Sequence, residues 1–282
     1  GDPSRVQTGK RPTALHCRTM GGTTFDAAAA RGLERMYRTP DVVAQRARVM
    51  AALALRAGEH VLDIGVGPGL LTFDLAATVG ERGRTAGIDT SEAMLEMTHQ
   101  RCAEQAQLDL RRADAVALPF EDACFDAVVS TQVFEYVGEV DRALCEVSRV
   151  LRPGGRVVLV DSDWDSVVWH TRDRPRMRRI LAAWDAHLEH PHLPTTLVRR
   201  LEGAGLSVHR CEVIPILNPA LHPHCYSFGI MAAIQRFVAR RQEVGEAEAR
   251  AWAEELRQLG EEGRYFFSLN RYLFAATKTA AG

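Results

Sequence analysis

Three glycines alternate with other residues just after an aspartate, Asp63, and an apolar run: Gly65, Gly67 and Gly69. Glycine adopts left-handed backbone conformations without strain and lets a ligand approach the backbone closely. The segment that begins at Leu70 has helical spacing, and the free N–H groups at a helix start favour an anionic group. The order of strand, glycine turn and helix therefore predicts a ligand site at the turn.

Two more aspartates close the next two strand-like runs. Asp89 ends RTAGID, where a carboxylate can accept hydrogen bonds from both hydroxyls of a ribose. Asp114, next to Ala115, ends LDLRRAD, where a carboxylate can accept from the exocyclic amine of adenine, and Leu118 and Phe120 could pack on the purine. A single such Asp is often only a turn cap. Three of them at consecutive strand ends indicate a nucleoside site.

The spacing of the glycines helps to distinguish which class of nucleoside ligand the site binds. A nicotinamide dinucleotide site favours G-x-G-x-x-G, whereas here Leu70 occupies the position of the third glycine. This departure argues against a nicotinamide-dependent oxidoreductase, which stays an alternative because it would share the same kind of sheet.

Strand and helix patterns alternate between residues 60 and 163. Predicted strands cover 60–64, 84–89, 108–114, 125–134 and 155–163, and predicted helices cover 70–80, 91–105 and 141–151. This order favours a parallel sheet with helices on both faces. Ligands of such sheets bind beyond the carboxyl ends of the strands, where the aspartates lie.

From His60 to Asp161 the sequence resembles the class I S-adenosylmethionine-dependent methyltransferases, particularly the ubiquinone/menaquinone-methyltransferase-like (type 11) subgroup. The resemblance is carried by VLDIGVGPG (61–69), GIDTSEAML (87–95), RADAVALPFEDACFDAV (112–128), STQVFEYV (130–137) and RVLRPGGRVVLVD (149–161). It implies a doubly wound, Rossmann-like α/β fold with a seven-strand sheet. It also implies S-adenosylmethionine as cofactor and S-adenosylhomocysteine as product.

The resemblance also implies which residues bind the cofactor. Asp63 and the loop through Gly69 would hold the methionine part, Asp89 the ribose, and Asp114 with Ala115 the adenine. The remaining implied cofactor positions are Tyr37, Arg46, Thr90, Met94, Thr131 and Gln132. Thr131 and Gln132 would lie beneath the sulfonium, and Tyr37 and Arg46 resemble positions that close over the cofactor, although helix packing explains those two equally well.

The patterns outside this region predict the rest of the organisation. We expect a flexible tail over 1–20, an N-terminal helical cap over 21–58, a cofactor-binding core over 59–170 and an acceptor-side lobe over 171–282. Within the cap, a break at Pro40 separates two helices, with Asp41 as the predicted N-cap of the second. Within the lobe, we expect a helical lid over 221–263 and a closing strand over 265–278.

Three residues are candidates for catalysis: His170, Glu135 and Tyr226. His170 follows Asp163 and Asp165, and an imidazole beside carboxylates is typical of a general base. The alternative is that these carboxylates cap the following turn while the tryptophans pack in the core. A base is needed only if the acceptor must lose a proton.

Composition excludes several functions. The 35 basic and 36 acidic side chains give a formal net charge of -1, which favours neither nucleic acid nor an anionic membrane as partner. Lys10 and Lys278 are the only lysines, which excludes a P-loop and an internal Schiff base. The cysteines form no CxxC pair, and neither His group, 187–192 or 222–224, has an acidic partner at ligand spacing, so we predict no metal.

We therefore expect methyl transfer to a small, largely apolar acceptor, because the lobe is rich in Trp, Phe, Tyr and Leu and such pockets suit natural-product-like metabolites of secondary metabolism. A non-catalytic S-adenosylmethionine-binding protein is a further alternative. With no apolar run of about 20 residues and no signal-like start, we expect a cytoplasmic protein without a membrane span. The sequence leaves open the acceptor, the atom methylated and the oligomeric state.

Overall fold

The computed structural model describes residues 27–105 and 107–279, so the predicted tail over 1–20 lies outside the described residues. The strands are β1 (His60–Ile64), β2 (Arg84–Asp89), β3 (Leu108–Arg112), β4 (Phe125–Thr131), β5 (Leu151–Ser162), β6 (Val168–Trp169), β7 (Leu206–Asn218) and β8 (Phe267–Lys278). The α-helices are α1 (Ala27–Tyr37), α2 (Pro40–Leu53), α3 (Leu70–Val79), α4 (Glu92–Arg101), α5 (Val140–Val150), α6 (Arg174–Asp185), α7 (Pro194–Gly203), α8 (Tyr226–Val238) and α9 (Gly245–Glu261).

Within the described ranges, the strands form one sheet in the order β3-β2-β1-β4-β5-β8, with both β7 and the two-residue β6 paired to β8. Neighbouring strands from β3 to β5 are parallel, and β8 is antiparallel to β5, β6 and β7. The predicted doubly wound seven-strand sheet is confirmed, and β6 is a short addition to it. Parallel strands that are buried on both faces consist mainly of apolar residues, which explains the apolar runs found in the sequence.

Helices cover both faces of the sheet, and alternate residues of β4 show this. Val128 packs in the apolar cluster of α5 and α7, whereas Ala127 and Val129 pack in the cluster of α2 and α3. A third apolar cluster joins α6, α8 and α9 beyond the sheet and includes Trp169 and Trp252. Helix α1 packs on α8, so the first described helix also joins this third cluster.

Strand polarity brings the chemistry to one edge. Because β1, β2, β4 and β5 are parallel, their carboxyl ends at Ile64, Asp89, Thr131 and Ser162 share that edge. Strand β8 runs the opposite way, and its early residue Arg271 pairs with Ser162. A side chain from near the end of the sequence therefore reaches the same edge as the glycine loop.

Several predicted boundaries need correction. Strand β3 ends at Arg112 rather than Asp114, and β4 ends at Thr131, where the chain enters a 3-10 turn over Phe134–Tyr136. The segment 221–263, predicted to be helical, contains two helices, α8 and α9, because the chain turns over residues 239–244. No helix in the described part of the chain combines the length and the apolar character needed to cross a membrane.

The predicted cap of α2 is also wrong. Thr39, not Asp41, holds the N-cap position, and the helix begins with Pro40. Proline suits the first helical turn because its fixed φ matches the helix and its missing N–H would have no partner there. The Asp41 carboxylate instead accepts a hydrogen bond from Asn218 Nδ2 at 2.8 Å, which ties α2 to the end of β7.

Candidate active site

The glycine loop that leaves β1 needs glycine for two different reasons. Gly65, Gly67 and Gly69 have φ values of 78°, 51° and 77°, all in the left-handed region. A Cβ on Gly65 would lie 2.2 Å from Cγ2 of Val133, whereas a Cβ on Gly67 would meet no atom within 4 Å. The loop is therefore packed against the turn after β4 at its start and borders open space at its middle.

Asp89 fastens this loop to the end of β2. Its carboxylate accepts hydrogen bonds from Gly67 N at 3.0 Å and Ser91 N at 2.9 Å, and burial raises its pKa. A carboxylate has about four lone-pair sites, so each oxygen can still accept from a ribose hydroxyl. The neighbouring Thr90 is exposed, and its carbonyl accepts from Arg112 Nε at 3.2 Å.

Asp63 is a buried carboxylate at the start of the loop, with an exposed fraction of 2%. It accepts a hydrogen bond from Thr72 Oγ1 at 2.7 Å, and burial, with a contribution from the Asp89 charge, raises its pKa to about 7. A nearby cation would favour the ionised carboxylate. The ammonium group of the methionine part of S-adenosylmethionine is such a cation, and the residues present fit this cofactor.

The predicted adenine residues lie in and beside the loop after β3. Asp114 is exposed, and its Oδ1 accepts from Val116 N at 3.1 Å. Ala115 and Met94 are buried. Leu118 is also buried, but Phe120 packs edge-on against the Phe125 ring at a centroid distance of 5.1 Å, and this contact holds its ring.

The end of β4 carries a non-glycine residue in a left-handed conformation. Gln132 has a φ of 59°, and its N–H donates to Val160 O at 2.7 Å. Its Oε1 accepts from Ser162 Oγ at 2.7 Å, which links the ends of β4 and β5 beside the half-buried Thr131. Sparsely populated backbone conformations of this kind cluster at functional sites.

The two predicted closing residues differ in their surroundings. Arg46 Nε donates to Asp74 Oδ2 at 2.7 Å, so this guanidinium joins α2 to α3. Tyr37, at the end of α1, has a pKa raised by burial, and the charges of Asp89 and Glu135 also act on it. Tyr37 is therefore influenced by groups on both the ribose side and the acceptor side, whereas Arg46 is bound to α3.

A buried polar cluster occupies the acceptor side. Glu135, Asp161 and Arg271 have exposed fractions of 1%, 0% and 1%. Asp161 Oδ1 accepts from Val133 N at 3.2 Å and Glu135 N at 3.3 Å, which places the turn after β4 over the end of β5. Arg271 Nη1 donates to Gln45 Oε1 at 2.6 Å. Three ionisable side chains are thus buried in the same region, closed to water.

Burial shifts the proton equilibria of this cluster. It raises the pKa of Glu135 well above the usual carboxyl range, with the Asp161 charge acting in the same direction. Burial likewise raises the pKa of Asp161 to about 7, while the Arg271 charge opposes the shift for both carboxyls. Both carboxyls therefore hold their protons to a higher pH than exposed carboxyls do.

Tyr226, the other predicted catalytic residue on this side, lies fully within the cluster. Its ring carries the Arg271 guanidinium on its face, 4.7 Å from the ring centroid, and its pKa is raised by burial. The cation–π contact and the Gln45 hydrogen bond together fix the direction of the guanidinium.

His187 is a buried histidine that sequence reasoning treated only as a metal candidate. Its Nδ1 contacts the carbonyl oxygen of Trp184, which can only accept, so Nδ1 carries the proton. Nε2 is then an acceptor and lies 3.4 Å from the Tyr136 hydroxyl. Burial lowers the pKa of His187 to about 4 and keeps the ring neutral. The surrounding Trp residues were the signal that this histidine is buried.

The structure does not bring His170 to the predicted carboxylates. Its side chain is exposed, and its backbone N–H donates to Phe266 O, because β6 leads the chain along the start of β8. His192 takes the expected position, with Nδ1 3.0 Å from Asp163 Oδ1 and 3.5 Å from Asp165 Oδ2. These three side chains lie close enough together to hold one metal ion, and they are already paired with one another.

Comparison with known proteins covers mainly the cofactor side. Residues 62–159, from β1 into β5, match the family model described as a methyltransferase domain. The chain is 38% identical over 116 residues to the demethylmenaquinone methyltransferase of Symbiobacterium thermophilum, which is 40% of this chain and 46% of that protein. The chain thus spans about half the length of that relative.

Two matches extend over the lobe as well. An uncharacterized 37.1 kDa protein in transposon TN4556 of Streptomyces fradiae is 28% identical over 265 residues, which are 92% of this chain and 75% of that protein. Among solved structures, the [4+2]-cyclase SpnF superposes with a TM-score of 0.55 at 22% identity, covering 94% of this chain and 86% of SpnF. The superposition shows a shared fold.

Proposed function

Because the chain belongs to the class I S-adenosylmethionine-dependent methyltransferases of the type 11 group, we propose that it methylates a small, largely apolar, natural-product-like metabolite. S-adenosylmethionine is the cofactor, and its sulfonium supplies an activated methyl group. The residues of the chain then have to bind the cofactor, align the acceptor and exclude water.

The observation that supports the acceptor class is the buried aromatic cluster beside the ends of β4 and β5. The third apolar cluster buries Trp164, Trp184 and Tyr226 next to Glu135 and Asp161. A site of this composition favours an aromatic or terpenoid-like acceptor with a few polar groups. The name of the Symbiobacterium relative gives demethylmenaquinone as its substrate, an apolar quinone, which supports the same class.

We propose a division of labour among these residues, which the shared edge of the strand ends supports. Asp63 and the glycine loop hold the methionine part, Asp89 and Thr90 face the ribose, and Asp114, Ala115 and Met94 face the adenine. Thr131 and Gln132 lie beneath the sulfonium, and Tyr37 covers it from α1. Glu135 and Tyr226 face the acceptor.

Binding is the first test. Isothermal titration calorimetry should show that S-adenosylhomocysteine binds and raises the melting temperature, while NADH does neither. Tight binding of NADH without binding of S-adenosylhomocysteine would instead favour an oxidoreductase.

Transfer is the second test. The protein is incubated with S-adenosylmethionine carrying a CD3 group and with extracts of small apolar metabolites, and mass spectrometry follows the label. Because SpnF shares the fold and is described as a cyclase, the assay must follow the methyl group and not merely loss of the acceptor. Binding of S-adenosylhomocysteine without any labelled product would indicate the non-catalytic alternative.

A further inference from the structure

Helix α1 is attached to both sides of the candidate site. Toward the lobe, Met36 packs on α8 so closely that a Cβ on Gly229 would lie 3.2 Å from Met36 Cγ. Toward the cofactor side, Glu34 forms an ion pair with Arg101, the last residue of α4. The first attachment is apolar packing, whereas the second is a single polar contact.

The Arg101 side chain also holds the glycine loop. Its Nε donates to Pro68 O at 2.7 Å while its Nη2 donates to Glu34 Oε1. About one turn earlier in α4, Thr98 Oγ1 donates to Gly67 O at 2.9 Å. Helix α4 therefore binds two consecutive carbonyls of the loop. The guanidinium, which presents several donors in a fixed plane, connects the second of these carbonyls to α1.

Tyr37 indicates that α1 runs close to the ribose side of the site. Burial raises the pKa of Tyr37, and the charge of Asp89 also acts on it. Glu34 lies about one turn earlier on the same helix. The ion pair with Arg101 and the approach to Asp89 thus indicate that α1 lies beside a cofactor bound by the glycine loop.

The connection between α1 and α2 has the geometry of a hinge. Thr39 separates the two helices with extended backbone, at φ −67° and ψ 151°. Helix α2 is fixed independently of α1, because Asp41 accepts from Asn218 and Val49 is buried in the core. A rotation of the backbone near Thr39 can therefore move α1 while α2 stays in place.

The ion pair that ties α1 to α4 is suited to breaking and forming again. The side chains of Glu34 and Arg101 are 21% and 19% exposed, so water and salt reach the pair and weaken it. Breaking it leaves the hydrogen bond from Arg101 to Pro68 O in place. The glycine loop can thus keep its conformation while α1 moves.

We propose that Arg101 is a positioning residue that fastens α1 over the bound cofactor, and that opening of the Glu34–Arg101 pair controls how fast S-adenosylhomocysteine leaves. This inference rests on the cofactor side of the proposed function and is independent of the acceptor. While the pair is closed, α1 covers the ligand. When it opens, α1 moves about Thr39 and the product leaves from a loop that stays formed.

Glu34 offers a matched pair of variants, because it also pairs with Arg38 of its own helix at 2.9 Å. Glu34→Gln breaks the link to α4 and should speed dissociation of S-adenosylhomocysteine about fivefold, with little change in the association rate. Arg38→Gln removes a charge from the same carboxylate without cutting that link, so both rates should stay near wild type. Stopped-flow fluorescence measures the two rates, and equal acceleration by the two variants would overturn the inference.

Salt separates this role from a purely structural one. Raising the salt concentration should speed release from the wild type and from Arg38→Gln, but much less from Glu34→Gln, which has already lost the pair. A general loss of stability would not produce that difference. Arg101→Gln should also speed release, and adding Glu34→Gln to it should have little further effect, because both changes break one contact.

Failure of this inference is distinguishable from failure of the proposed function. If folded wild-type protein does not bind S-adenosylhomocysteine, both fail. If it does bind, and folded Glu34→Gln releases the ligand at the wild-type rate, the inference fails and the cofactor assignment stands. Melting temperatures report on folding, and if Arg101→Gln does not fold, the comparison of Glu34→Gln with Arg38→Gln still decides.

Discussion

The two halves of the candidate site are built in different ways. On the cofactor side, a continuous segment from Asp63 to Gly69 and the nearby Asp89 are held by backbone N–H groups and left-handed glycines. On the acceptor side, side chains from α2, the turn after β4, β5 and β8 meet, and the Arg271–Gln45 bond joins residues 226 positions apart. A site made from local backbone leaves a motif in the sequence, whereas one made from distant side chains does not.

The halves also differ in how far their polar groups are satisfied. Each Asp89 oxygen accepts one backbone hydrogen bond, so backbone contacts position this carboxylate. Glu135, Asp161 and Arg271 each keep an unpaired buried atom. The cofactor side therefore depends on backbone geometry, and the acceptor side depends on charge, which mutation can test separately.

The largest effect should come from the backbone of the cofactor side. Gly65→Ala and Gly154→Ala place Ala at nearly the same φ, 78° and 76°, but only the Cβ at residue 65 meets an atom within 4 Å. We expect Gly154→Ala to lower the free energy of unfolding by about 1–2 kcal/mol through strain alone. Gly65→Ala should cost about 1–3 kcal/mol more through the clash with Val133. Urea denaturation measures both.

Gly65→Ala should also weaken binding of S-adenosylhomocysteine by about a hundredfold or more, because the shifted loop carries Gly67 away from Asp89. Gly154→Ala should leave the affinity unchanged. The double variant Gly65→Ala/Val133→Ala should recover part of the stability, since it removes the atoms that clash. Equal losses for the two single variants would show that strain, and not packing against Val133 in the turn after β4, determines the loop conformation.

Asp89→Ala should have the next largest effect. It removes a charge-assisted contact to the ribose and two backbone contacts that position the loop, so affinity for S-adenosylhomocysteine should fall by about 1.5–3 kcal/mol. Asp109→Ala is the matched control, because that carboxylate lies on the neighbouring strand and binds Arg84 and Arg111 instead. Calorimetry on both variants decides, and an unchanged affinity in folded Asp89→Ala would remove this residue from the site.

The charge of Asp63 should give a smaller effect that depends on pH. Its pKa of about 7 means that the carboxyl is mostly protonated at pH 6 and mostly ionised at pH 8. Only the ionised form attracts the ligand ammonium group, so S-adenosylhomocysteine should bind about tenfold more weakly at pH 6 than at pH 8. Asp63→Asn should flatten this difference, and Asp89, present in both proteins, cancels in the comparison.

The same shift has a consequence for stability. The folded-state pKa of Asp63 lies above the value of about 3.9 expected when unfolded, so its contribution is fully present below that value and is lost as pH rises through about 7. The protein without ligand should therefore lose more stability over this range than Asp63→Asn does. Saturation with S-adenosylhomocysteine should reduce that loss.

Most of the fold could be predicted from sequence because its signals are local. Buried parallel strands appear in the sequence as short apolar runs, and a glycine marks the end of α3. The predicted strands 60–64 and 84–89 therefore have the same bounds as β1 and β2 in the structure. Helix and strand ends that depend on tertiary contacts were misplaced. Asp41 bonds to Asn218 across the fold instead of capping α2, and no pattern within α2 could indicate that.

The cofactor side was predicted in outline for the same reason, but the acceptor side was only partly foreseen. Glu135 and Tyr226 were singled out, while their partner Arg271 was read as part of an ordinary closing strand. An Arg flanked by alternating apolar residues in LNRYLF could have signalled a buried charge. His170 was chosen by its distance in sequence from Asp163, and the chain instead delivers His192 from the loop after α6.

The smallest expected effect concerns the rim of the acceptor side, which consists of Asp163, Asp165 and His192. The Asp163 and Asp165 carboxylates raise the pKa of His192 against the opposing effect of burial. Its stabilising contribution is therefore fully present below the unfolded value of about 6.5 and is lost as pH rises through the raised folded value. Because 39% of the His192 side chain is exposed, water screens the pair, and His192→Ala should cost only up to about 1 kcal/mol at pH 6 and less at pH 9.

The exposed His170 is the control: His170→Ala should change stability by less than about 0.5 kcal/mol at either pH and leave labelled-methyl turnover near normal. A large loss of turnover in folded His170→Ala would indicate that the proton-accepting group lies at the rim and not in the buried cluster. Urea denaturation at the two pH values distinguishes that result from a simple loss of stability.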